Sequence, residues 1–163
     1  MEKVELNKDV KLSQHFLLGE LCKTSVKTAD GNIPSHVAIE NLKNLCENWL
    51  EELRENYNLI YEGVGDCKGD EPIIITSGYR SPEVNKAVGG APTSNHLTGC
   101  AVDIRCVGIE QAIRYACILL DISDGTKRDY DELFIERSKQ GRYWVHFAVR
   151  PKENRRKTAF IQT

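Results

Sequence analysis

Residues 76–103 read TSGYRSPEVNKAVGGAPTSNHLTGCAVD, and Trp144-Val145-His146 answers them about forty residues later. The stretch contains Ser94-x-His96-x-x-Gly99-x-Ala101-x-Asp103. Cys100–Cys106 alternates as a strand, with Val102 and Ile104 on one face and Ala101, Asp103 and Arg105 on the other. His96 and Asp103 are seven residues apart, which in an unbroken strand would put them on opposite faces and far from each other. A break at Thr98-Gly99 is what would let both reach one point. Two histidines and one carboxylate suit zinc with a coordination position left open, the pattern of catalytic rather than structural sites. The first expectation is therefore a metal site of His96, Asp103 and His146.

Upstream, Pro72–Thr76 is a β-branched run that reads as a short buried strand delivering Ser77-Gly78-Tyr79-Arg80 to its end. Ser81-Pro82 has the character of a helix cap and first helical residue, so a short helix is expected over Ser81–Val88, closed by Gly89-Gly90. Further back, Ser35 is placed to cap a helix running to about Asn56, with a stripe of Ala38, Leu42, Leu45, Cys46, Trp49, Leu50 and Leu53 and Trp49 in the core. Between the two, residues 57–71 carry three glycines and several acids and read as a surface loop or loose strand pair. Near the start, a short helix is expected over Leu18–Thr24, and His15, beside Phe16, reads as a packing residue.

Downstream, Ile109–Leu120 reads as a helix with an apolar stripe of Ile109, Ala112, Ile113, Ala116, Cys117 and Leu120, followed by a polar turn over Ser123–Arg128. Two strands follow, Tyr130–Arg137 and Tyr143–Val149, joined by Ser138–Arg142 as a hairpin. Arg150–Thr163 is basic and reads as a poorly packed, solvated tail.

With 163 residues and a hydrophobic fraction of 40%, one domain spanning 1–163 with a single core is expected. The net charge of −2 offers no electrostatic footprint for nucleic acid. No apolar run approaches the roughly 18 residues of a membrane span, and the opening MEKVELNKDVKLSQHF has no apolar signal region. A cytoplasmic protein, at least as synthesised, and a monomer are the expectations. The six cysteines show no CxxC pairing and read as free, mostly buried thiols.

The S-x-H-x-x-G-x-A-x-D and W-V-H elements resemble the zinc D-Ala-D-Ala carboxypeptidase group, which shares its fold with lysostaphin-type peptidases and the hedgehog signalling domain. Ser77-Gly78-Tyr79-Arg80-Ser81, Asn85 and Val88-Gly89-Gly90 add to the likeness, as do the opening L-S-Q-H-F and the leucine-rich helix. The resemblance, closest to short phage-like and gut-bacterial members, covers nearly the whole chain. It implies zinc held by His96, Asp103 and His146, an Arg80 that binds a substrate carboxylate or a tetrahedral oxyanion, and peptidoglycan stem peptides or muropeptides as substrates. D-Ala-D-Ala ends and L-Ala-D-Glu bonds both remain open. Since peptidoglycan lies outside the membrane, release by a phage-type lysis system or action on muropeptides inside the cell would follow.

One position departs from the family. Many carboxypeptidases carry an acid three residues before the last ligand, where this chain has Tyr143. The hedgehog-type arrangement, an aromatic-Asp-x-x-x-x-Glu strand, resembles Tyr130–Glu136 and makes Glu136 the candidate general base, with Glu132 and Asp131 as weaker substitutes. If Glu136 pairs with Trp144 and Phe134 with His146, Glu136 shares a sheet face with the ligand; a one-residue slip would turn it away. Ser94 is expected to hydrogen-bond in the site or fix its loop, and Trp144 to be a substrate wall or core. The predicted architecture is α+β: a central, mainly antiparallel sheet bearing the zinc, flanked by helices. Tyr143 leaves a rival open, a zinc-bearing binding module without turnover. A structural component of a phage particle or secretion machine is a third possibility.

Overall fold

The computed structural model describes residues 5–163; the first four residues of the opening stretch lie outside it. The helices are α1 (Leu18–Leu21), α2 (His36–Leu45), α3 (Glu51–Tyr61), α4 (Pro82–Ala87) and α5 (Gly108–Thr126). The strands are β1 (Ile75–Ser77), β2 (Ala101–Cys106), β3 (Glu132–Arg137), β4 (Tyr143–Ala148) and β5 (Lys157–Gln162). They form one five-stranded sheet in the order β1-β2-β4-β3-β5. All neighbours are antiparallel except β3 and β5. The α+β expectation holds. No described helix is long and apolar enough to cross a membrane.

Alternation divides the sheet into two faces. Val102 and Ile104 of β2 and Val145 and Phe147 of β4 enter the core and are fully buried. Trp49 packs on Phe147 with ring centroids 5.0 Å apart, which anchors the long helical segment to the sheet. Asp103, Trp144 and His146 are the intervening residues and belong to the opposite face. The same alternation that builds the core therefore delivers the polar set.

The long helix begins as expected: Ser35 caps it by accepting the Ala38 N–H at 3.1 Å, and every residue of the expected stripe is buried. It does not stop near Asn56. A π-helical turn, Cys46–Leu50, leads into α3, which continues to Tyr61. Tertiary contacts supply the reason. Tyr57 meets Tyr115 edge-on at 4.9 Å, and Asn58 joins the Glu71 backbone through both its amide nitrogen and its oxygen. The first residues of the supposed 57–71 loop are thus held as helix.

Helix α5 also outruns its expected end and is rotated from its expected stripe. Its buried residues are Ala112, Tyr115, Ala116, Ile118, Leu119, Ile122 and Ser123, whereas Ile109, Ile113 and Cys117 are exposed. Ser123 donates to the Arg128 carbonyl, and Lys127, at φ 64°, ends the helix in the left-handed region. Five cysteines are buried and all six are free, as expected of small packing residues.

The expected tail is corrected. Lys157–Gln162 is an edge strand, parallel to β3 from Glu132↔Lys157 to Arg137↔Gln162. Its side chains are largely exposed, Phe160 among them, so apolar burial does not hold it. Arg155, just before it, grips the fully buried Asp131 through Nε (2.9 Å), Nη2 (2.7 Å) and its backbone N–H (3.0 Å). Burial would raise the Asp131 carboxyl, but Arg155 and Asn95 hold it down to about 2.

Candidate metal centre

His96 sits in a 3₁₀ turn, Asn95–Thr98, rather than on a strand. Ser94 caps the turn, its Oγ accepting the His96 N–H at 3.2 Å, so of its two expected roles the loop-fixing one is seen. The turn ends at Gly99, φ 72°, where a Cβ would stand 2.4 Å from the Ala38 carbonyl oxygen. Only glycine fits both the conformation and the approach of α2. This is the break expected at Thr98-Gly99, and β2 starts immediately after it.

Asp103 on β2 lies directly across from His146 on β4. His146 Nδ1 is 3.0 Å from Asp103 Oδ1, and His96 Nε2 is 3.4 Å from the same oxygen. His96, Asp103 and His146 are all buried, and their ligand atoms lie within 4.8 Å of one another. Bonds of about 2.0–2.1 Å to one tetrahedral ion put neighbouring ligand atoms roughly 3.3 Å apart. The donor set therefore fits a metal ion of that kind.

The atoms behind the three are also satisfied. His96 Nδ1 donates to the Gly78 carbonyl at 2.6 Å, so Nε2 is the nitrogen that faces Asp103 and could hold an ion. Gly78 is itself pressed against α1, where a Cβ would fall 2.2 Å from the Leu21 carbonyl oxygen. Arg80 Nη2 donates to Asp103 Oδ2 at 3.2 Å, and Arg80 Nε to Ser77 Oγ at 3.0 Å. Arg80 thus forms an ion pair with Asp103 and also lines the cleft.

The hairpin register is the one expected: Phe134 pairs with His146 and Glu136 with Trp144. Glu136 and His146 therefore share a face. Trp144 Nε1 donates to Glu136 Oε2 at 2.9 Å, so the half-buried Trp144 holds the carboxylate as well as walling the cleft. Burial first, and the Asp103 charge second, raise the Glu136 carboxyl above its ordinary range. Glu132, two residues before Phe134, joins His146 from the other end: its Oε1 accepts from His146 Nε2 at 3.1 Å and from Asn95 Nδ2 at 2.6 Å. Sequence reasoning offers Glu132 only as a substitute base and does not single out Asn95. The 132, 134, 136 alternation facing His146 is the available signal for Glu132; nothing local marks Asn95.

Burial would raise the Asp103 carboxyl, yet the two histidines hold it well below the carboxylate range. Burial would lower His146, yet hydrogen bonds to Asp103 and Glu132 bring it up to about 9. Opposite charges at this range dominate desolvation. Asp103, Glu132, Glu136, Trp144, His146 and Arg80 all open on one cleft of about 1050 Å³, whose rim includes Arg150, Lys152 and Lys157.

No curated protein matches the chain. The family model described as Peptidase M15 matches residues 14–126, more than half of the sequence. The match includes His96, Asp103 and Arg80 and stops before β3 and β4, so the sheet is what joins Glu136 and His146 to the matched part. On that match, with the His-Asp-His set in place, the chain belongs to the peptidase M15 family.

Proposed function

We propose that this metallopeptidase hydrolyses peptide bonds of peptidoglycan stem peptides, with His96, Asp103 and His146 as zinc ligands and Glu136 as general base. The observation that carries the reading is the shared face: a raised glutamate and the last histidine of a metal-fitting set open on one cleft from paired strands. Zinc held there would supply Lewis-acid chemistry, acidifying a water and polarising an amide carbonyl. Glu136 takes the proton of the attacking water and returns it to the leaving amine. Its elevated affinity for a proton suits that exchange, and Trp144 keeps one oxygen oriented.

Arg80, which lines the same cleft, binds the substrate. Its Nε–H and one Nη2–H are committed to Ser77 and Asp103, which leaves the Nη1–H pair and the second Nη2–H for a substrate carboxylate or the developing oxyanion. Ser94 sets the His96 turn, and Trp144 supplies an aromatic wall. A binding module has no need of a carboxylate oriented by a tryptophan N–H on the ligand face of the cleft, so the arrangement favours turnover over binding alone. The test is peptide release from purified peptidoglycan, read by mass spectrometry with and without a chelator. Chelator-sensitive release is expected, and the fragment masses identify the bond. Full release in the presence of the chelator would contradict the reading.

A further inference from the structure

We propose that Glu132 is a positioning residue that orients His146 as a metal ligand and, through Asn95, couples it to the turn carrying His96. The inference rests on the zinc reading of His96, Asp103 and His146 given above.

An imidazole that gives one nitrogen to a metal has a second N–H to place, and where this one goes fixes the ring and its tautomer. For His96 the partner is the neutral Gly78 carbonyl, on a backbone wedged against α1. For His146 it is a carboxylate, Glu132 Oε1. Two contacts then define the ring: Phe134 stacks on it at 5.3 Å with an interplanar angle of 16°, and Glu132 sets its rotation within that plane. Because Nδ1 faces Asp103 and Nε2 faces Glu132, Glu132 addresses the side of the ring away from the ligand atoms. That separates its task from the one proposed for Glu136.

Glu132 is itself held. The Asn95 amide nitrogen donates to Glu132 Oε1 and to Asp131 Oδ2 at 2.8 Å, and Asp131 is clamped by Arg155. Asn95 immediately precedes His96, so one side-chain amide ties the first ligand's turn to the last ligand's strand pair. Arg155 at the entry to β5 completes the relay. A carboxylate in this position also strengthens His146 as a donor, by keeping the proton on Nε2 and electron density at Nδ1.

The experiment is zinc affinity of the full chain at one pH, by competition with a chromogenic chelator, for the wild type, Glu132→Gln and Glu132→Ala. The glutamine keeps the shape and an acceptor but loses the charge; the alanine loses both. Zinc binding should weaken about 10-fold in Glu132→Gln and up to about 100-fold in Glu132→Ala. The visible absorption of the Co²⁺-loaded Glu132→Gln variant should shift. A merely structural glutamate would lower the metal-free melting temperature and leave zinc affinity and the Co²⁺ spectrum unchanged; that result, from the near-isosteric Glu132→Gln alone, overturns the proposal. A wild-type chain that binds no zinc overturns it as well. Weakened variants of a zinc-binding wild type that releases no peptide would uphold it and contradict the peptidoglycan reading instead.

Discussion

The two ends of β3 carry chemically identical groups in opposite circumstances. Glu132 and Glu136 lie on one face of one strand, four residues apart, with Phe134 between them stacked on His146. At the first end, burial is outweighed by hydrogen bonds from His146 and Asn95, and the carboxyl is lowered. At the second, burial and the Asp103 charge prevail over the Trp144 hydrogen bond, and the carboxyl is raised. Strand alternation supplies the shared face, while the cross-strand neighbour decides the task. A group kept ionised suits holding a ligand, and one whose proton affinity is elevated suits exchanging a proton with substrate.

His146→Ala removes the ring between the two ends and should have the largest effect. Tight zinc binding and turnover should be lost together, as read by bound-metal analysis and peptide release. Retained zinc in this variant would break the assignment of the third ligand.

Arg155→Ala acts on the Glu132 end alone. Asp131 would keep the Asn95 amide, the backbone N–H at residue 155 and the Arg150 guanidinium at 3.9 Å but lose that of Arg155, for a cost of roughly 1–3 kcal/mol, toward the lower end because Arg155 is partly exposed. At about 2–4 °C per kcal/mol, a drop of several degrees in Tm should be visible. The sign with pH follows from a folded-state value of about 2, below the ordinary 3.8. The stabilisation is present above the ordinary carboxylate range and is lost as pH falls toward about 2, so the Tm gap between wild type and variant should close across that window. A gap independent of pH would show that Arg155 acts by packing.

Trp144→Phe sharpens the Glu136 end and should have the smallest effect. It removes the indole N–H that favours the ionised form, so the carboxyl should rise further. The acid limb of the pH profile of kcat/KM should move to higher pH, with zinc content unchanged. An unmoved limb would mean that Glu136 does not set it.

Much of this comparison is legible in the amino-acid sequence. Cys100–Cys106 alternates with little ambiguity because one face is core, and that face fixes where Asp103 points. The hairpin register follows from the same constraint applied to Val145 and Phe147, which makes the placement of Glu136 predictable. Ser35 and Ser81 declare their helices through capping chemistry that acts over three residues. What escapes is long-range. Strand β5 has exposed side chains and no apolar alternation, and it is joined to the fold by its backbone ladder to β3 and by Arg155 reaching a buried carboxylate 24 positions away. Helix α5 carries exposed isoleucines beside a buried tyrosine, so its apolar pattern suggests the wrong phase. Helix α3 persists past Asn56 through contacts with Tyr115 and Glu71 that no local window contains. Among the site residues, those named by motif are legible, and Asn95, whose part comes from a neighbour 37 residues on, is not.

The central claim, that the far end of β3 supplies the base and the near end does not, is tested most directly by Glu136→Gln, with zinc content and turnover measured on the same sample. Zinc should remain at the wild-type level while kcat falls by about 10²–10⁴-fold. Full zinc with wild-type kcat would contradict the account, removing Glu136 from the chemistry.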